Sequence, residues 1–174
     1  MRKDFSFILF GAFVFVSVLG TLLHFLYDLT GGFILTAPFS AVNESTWEHM
    51  KILYFPMLLV VFLQRKYFPD NKAYYCIKLI GILTGLISVP VLFYTLNGIF
   101  GKTPDFINIM IFFVSAALSY FTEYLLMKKD SPPCRFTRTA LMLILSIGIL
   151  FVIFTFFTPE IPLFLDPLTK TYGI

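Results

Sequence analysis

Two short stretches of this chain hold both of its histidines and three of its carboxylates. They are His24-Phe25-Leu26-Tyr27-Asp28 and Asn43-Glu44-Ser45-Thr46-Trp47-Glu48-His49; Asp166 follows much later. Imidazole and carboxylate are the usual ligands of zinc and other divalent cations. A carboxylate beside a histidine can also do general acid–base work. His24 and Asp28 are four apart and share a face of any helix that holds them, as do Glu44 and Glu48 if theirs starts early enough. The candidate ligand-binding set is therefore His24, Asp28, Glu44, Glu48, His49 and Asp166. Within it, His24, Glu48 and His49 are the candidate metal ligands, and a divalent metal is the candidate cofactor. The spacing matches no H-E-x-x-H or Cys/His signature, so no catalytic residue can be named.

The same residues have a structural account. Ser45-Thr46-Trp47-Glu48 is a capping box, in which Ser45 caps a helix and Glu48 bonds back to its start. Glu44 and Glu48 suit the positive end of a helix dipole. Trp47 fits an interfacial aromatic belt, and His24 has Asp28 or a backbone carbonyl as a partner. Asn43-Glu44-Ser45 also matches the glycosylation sequon, close to a membrane surface. Capping would require Ser45 and Glu48, but gives no reason for His24 and His49 to approach each other.

These residues are positioned by long apolar elements. Hydrophobic residues make up 58% of the chain and charged residues 13%, a balance that excludes a soluble domain. Five apolar runs stand out: Phe5–Tyr27, Trp47–Leu63, Tyr74–Leu96, Phe106–Met127 and Thr137–Phe157. A core of ~30 Å needs ~20 helical residues. Four runs reach that length, and the second does so only if Asn43–Thr46 or Gln64 extends it. Each span must satisfy its own backbone in lipid, which predicts helices. The runs lack the alternation of a β-barrel. The expected fold is all-α: a five-helix transmembrane bundle, with residues 1–174 as one integral membrane domain. The first run is too long for a signal-peptide core and is expected to stay as a helix.

Charge predicts orientation. With a cytoplasmic N-terminus, the inner segments carry Arg2, Lys3, Arg65, Lys66, Lys72, Lys128, Lys129, Arg135 and Arg138. The outer segments carry only Lys51, Lys102 and Lys170. This bias predicts N-terminus in and C-terminus out. The net charge of +3 then reflects topology, not nucleic-acid binding. Lys78 lies near the inner end of the third span and is expected to snorkel. Cys76 and Cys134 fall on the inner, reducing side and are expected to be free thiols. Glu123 sits near the inner end of the fourth run, ~20 Å in depth from His24. Ser115, Ser119 and Glu123 form a stripe, read as helix–helix hydrogen bonding or as a polar pathway.

Between the spans, Pro132-Pro133 should stop the fourth helix. Pro56 and Pro90 predict kinks, and Gly81-x-x-x-Gly85 predicts close helix packing. The segment Leu29–Thr46 is long and only weakly polar, so it should lie in the interface or dip into the bundle. The Pro-containing tail, Thr158–Ile174, should pack as an extended segment over the outer face.

The stretches His24–Asp28, Asn43–His49 with Lys51, and Pro162-Leu163-Phe164-Leu165-Asp166-Pro167 resemble a family of small uncharacterised bacterial integral membrane proteins carrying an Asn-Glu-Ser-x-Trp-Glu-His motif. The resemblance implies a bacterial inner membrane and no particular activity. Lipid hydrolases of the alkaline ceramidase type also combine helical spans with His and acid ligands. They use three histidines where this chain has two, and they have more spans. The expected function is a multi-pass membrane protein with an outer-face site for a cation or small polar ligand, permease-like or accessory. A metal-dependent enzyme acting on a lipid headgroup and a structural partner subunit are the alternatives. Expected partners are the lipid bilayer and a membrane protein or second copy, not nucleic acid.

Overall fold

The computed structural model describes residues 5–69, 71–101, 104–128 and 134–174. Arg2, Lys3, Lys102, Lys129 and Pro132-Pro133 lie outside the described residues. The helices are α1 (Phe5–Leu29), α2 (Thr46–Gln64), α3 (Tyr74–Phe100), α4 (Asp105–Lys128) and α5 (Thr137–Phe156). Each is long and apolar enough to cross a membrane. A 3-10 turn, Arg65–Tyr67, continues α2, which gives the short second run its missing length. Pro56 and Pro90 lie inside α2 and α3, which continue through them.

The centre of the bundle is α2, which packs against α1, α3, α4 and α5. It is the least apolar of the five and the most enclosed. Its polar residues can be there because protein, not lipid, surrounds them. Leu53, Tyr54, Met57, Val60 and Val61 from α2 lie at the core with Val16, Ile82 and Phe151. Many phenylalanines and leucines on the other helices are exposed, as lipid-facing side chains should be.

The closest helix pairing joins α3 to α4, and the Gly-x-x-x-Gly pattern explains it. A Cβ on Gly81 would lie 2.6 Å from the Glu123 Cγ, and one on Gly85 would lie 3.2 Å from the Ser119 Cβ. The missing side chains thus let α4 bring its polar stripe against α3. Ser119 donates to the Gly81 carbonyl at 2.7 Å, as expected for helix–helix hydrogen bonding.

Two expectations are corrected at this end of the bundle. Lys78 does not snorkel: it is 1% exposed. Its Nζ donates to Glu123 and to Gln64, each at 2.6 Å. It also lies over the rings of Tyr74 and Tyr120. A carboxylate partner on the adjacent helix made burial less costly than reaching for water. Cys76 and Cys134 are not free thiols but a disulfide, with Cα atoms 6.3 Å apart. The expectation had inferred redox state from charge bias, which says nothing of distance; the fold sets the start of α3 beside the approach to α5.

At the opposite end, the long segment after α1 dips inward. Ala37, Ser40 and Ala41 are buried, whereas Phe33, Ile34 and Leu35 are exposed. The tail is not extended throughout. It makes a 3-10 turn, Pro162–Phe164, and a bridge between Leu165 and Tyr172. Trp47 does not form an outward belt. Its ring packs 4.5 Å from those of Phe151 and Phe164, tying α2 to α5 and the tail.

Candidate metal centre

The site is built where α1 ends, α2 begins and the tail crosses. Ser45 is the N-cap of α2, and its side chain accepts from the Glu48 N–H. The second arm of the capping box is redirected: the Glu48 carboxylate takes the Val42 N–H at 2.9 Å. The Ser45 N–H instead donates to Asn43 Oδ1 at 2.9 Å. The Asn43 amide donates to the Gly173 carbonyl, so the sequon asparagine pins the tail. These bonds fix the backbone on either side of Glu44.

Three donors converge. His24 Nε2 lies 3.6 Å from one Glu44 oxygen, and His49 Nε2 lies 3.6 Å from the other. The imidazole centroids are 5.3 Å apart. One ligand atom from each of His24, Glu44 and His49 can be chosen so that all lie within 4.8 Å of one another. The 3.6 Å separations exceed the ~2.7–3.2 Å of a hydrogen bond. Each is near the edge of a zinc tetrahedron, ~3.3 Å for bonds of ~2.0–2.1 Å, but they run to different Glu44 oxygens, so a single ion would draw the donors closer than the 4.8 Å that encloses them. These groups are too far apart to hydrogen-bond one another and close enough to be gathered around one ion.

The histidines are oriented for that task. His49 Nδ1 lies 2.9 Å from the Ser45 carbonyl. A carbonyl can only accept, so Nδ1 carries the proton and the Nε2 lone pair points to the cluster. Such second contacts set the tautomer of metal-binding histidines. His24 Nδ1 is buried and has no hydrogen-bond partner among the described residues, so no bond seen at that nitrogen competes for the ring. Both rings are mostly buried, and the Glu44 side chain is 43% exposed.

Of the other candidates, Asp166 stays close enough for its charge to act on His49, while Glu48 and Asp28 go elsewhere. Glu48, expected as a metal ligand, is 3% exposed and pairs with Lys51 Nζ at 2.5 Å. Lys51 also donates to the Ala37 carbonyl at 2.8 Å and to Thr155 at 3.1 Å. Glu44, not Glu48, is the carboxylate that lies with His24 and His49. Asp28 is exposed and is not among the converging donors. Asp166 is buried, but its carboxylate accepts the N–H groups of Leu168 and Thr169 at 2.7 and 3.3 Å. That turn sets Pro167 and Leu168 beside Glu44 and His49. Sequence reasoning missed Asn108 of α4, which lines the cavity next to the cluster; no motif marks it.

The whole chain, over residues 2–174, matches a family described as a family of unknown function, DUF6512. The chain belongs to that family. No curated protein and no solved structure matches it. The family description carries no chemistry, so the function of this DUF6512 member rests on its site.

Proposed function

We propose that this membrane protein binds a divalent transition-metal cation through His24, Glu44 and His49, with zinc the ion that best suits the donors. The observation that carries this is the placement of two histidine nitrogens 3.6 Å from the two oxygens of one carboxylate. Two imidazoles and a carboxylate are also the protein ligands of hydrolytic zinc sites. Three protein donors leave a fourth position for water or another ligand. That open position favours a metal-dependent enzyme acting on a lipid headgroup as the second reading, ahead of a permease. The Lys78–Glu123 pair at the far end is engaged with Gln64, which gives a transport path no free carrier there.

The basic bias supports an orientation with the N-terminus in the cytoplasm and the metal site outside, in a bacterial inner membrane. The disulfide argues the other way, since such bonds persist in oxidising compartments. Proteolysis of a C-terminal epitope on intact spheroplasts decides between them: cleavage supports the outward site, and protection overturns it.

Metal analysis of purified full-length protein tests the central proposal. We expect about one zinc per chain, and loss of it in His24→Ala and His49→Ala. Asp28→Asn should retain it. Metal-free protein after zinc loading, or unchanged content in both histidine variants, would reject the site.

A further inference from the structure

The three donors stand at the polar end of a cavity of about 360 Å³, within the ~300–1,000 Å³ of small-ligand sites. Thr21 and Phe25 of α1 form one wall, Ile109 and Phe113 of α4 the other, and Ile52 of α2 the floor. Asn108 lies at the polar end. Phe25 is 52% exposed and Ile109 57% exposed. Both sit on the outer surface of helices long enough to cross a membrane. The mouth between them therefore opens sideways, toward acyl chains. Leu168, from the tail, also lines the cavity.

A cavity with an apolar lateral mouth and a charged inner end has the layout of an amphiphile. Acyl chains fill such a groove in preference to water, because each methylene buried there leaves an aqueous surface. A headgroup oxygen is what a cation with three protein donors lacks. The cation's charge favours an anionic oxygen over a neutral one.

We propose that this groove takes an anionic phospholipid, with an acyl chain between α1 and α4 and a phosphate oxygen in the cation's open position. This rests on the metal reading of the cluster. The phosphate could equally belong to free inorganic phosphate, and the apolar wall is what separates the two sources. A lipid engages the wall, and inorganic phosphate does not.

The test uses full-length protein in non-ionic detergent, loaded with Co²⁺, whose visible spectrum reports its ligands. Dihexanoyl phosphatidate and inorganic phosphate are titrated separately. We expect phosphatidate to shift the spectrum at a concentration at least about tenfold lower than phosphate does, the gain coming from buried methylenes. Ile109→Trp, at an exposed position of the α4 wall, should narrow the mouth. It should abolish that preference while leaving Co²⁺ binding and the phosphate response intact. If Co²⁺ gives no protein-bound spectrum, the metal reading fails and this inference with it. If Co²⁺ binds but phosphate and phosphatidate act alike, or Ile109→Trp leaves the preference in place, the lipid inference alone is overturned.

Discussion

The two ends of this bundle both bury ionisable groups, but treat them in opposite ways. Around Lys78 the charges are matched: Glu123 and Gln64 accept from its ammonium at 2.6 Å each, and the Tyr74 and Tyr120 rings flank it. Around Glu44 two imidazole nitrogens stand 3.6 Å away, and the other nitrogen of His24 has no hydrogen bond among the described residues. Nearby, Glu48 and Lys51 show that the fold can close a pair tightly at that end as well. Open spacing beside a closed pair is therefore a property of those residues, not of the region. A satisfied pair holds helices together, and an unsatisfied cluster is left with capacity for something else.

Substitution can break this contrast. The largest effect should come from Lys78→Met or Glu123→Leu alone. Each leaves an uncompensated buried charge, which costs ~3–5 kcal/mol. The double variant should recover much of that loss in a thermal unfolding series in detergent. If the single variants unfold like the parent, the pair is not structural. Glu123→Gln also leaves Lys78 without its counter-charge, so it should destabilise in the same way.

Gly81→Ala comes next. Its new Cβ would press on the Glu123 side chain, and overpacking of this kind costs ~1–3 kcal/mol. A loss comparable to that of Lys78→Met would show that the glycine contact, not the charge, dominates the α3–α4 interface. Ser45→Ala removes the α2 cap and should cost ~1 kcal/mol, read from the same melts.

The smallest stability effect should be at the cluster itself. Glu44→Gln should change unfolding by less than ~0.5 kcal/mol in metal-free protein, yet weaken zinc binding measured by competition with a chelator. A strongly destabilised metal-free Glu44→Gln protein would erase the distinction between the two ends. The disulfide has its own check. Denatured protein should take up a maleimide at Cys76 and Cys134 only after reduction, and uptake without reductant would argue against the bond.

Much of the fold was legible because membrane helices announce themselves by length and apolarity. The ends of α1, α3, α4 and α5 differ from the runs by only a few residues. Which residues gather at one end of the bundle was also legible, since α1 ends there with His24 and α2 begins there with His49. The choice between Glu44 and Glu48 was not. Helical periodicity favours Glu48, but Glu48 faces Lys51 inside the bundle, while Glu44 precedes the helix and is aimed by the Asn43 and Ser45 turn. Lys78 was misread because Glu123 lies on another helix, and its proximity depends on the two glycines of α3. The cysteine pairing depended on the same kind of long-range proximity.

The two buried ion pairs among the described residues differ in one more respect, which matters while the chain is being made. Glu48 and Lys51 are three residues apart on one helix, so α2 can leave the insertion machinery with its charges already neutralised. Lys78 has its carboxylate 45 residues downstream. Until α4 arrives, α3 carries a lone ammonium within a turn or so of its end, which is costly in lipid unless water reaches it. Synthesis should therefore hold α3 at the edge of the bilayer or beside the translocase until its partner emerges. In biogenesis α3 and α4 would act as one unit, released as a pair.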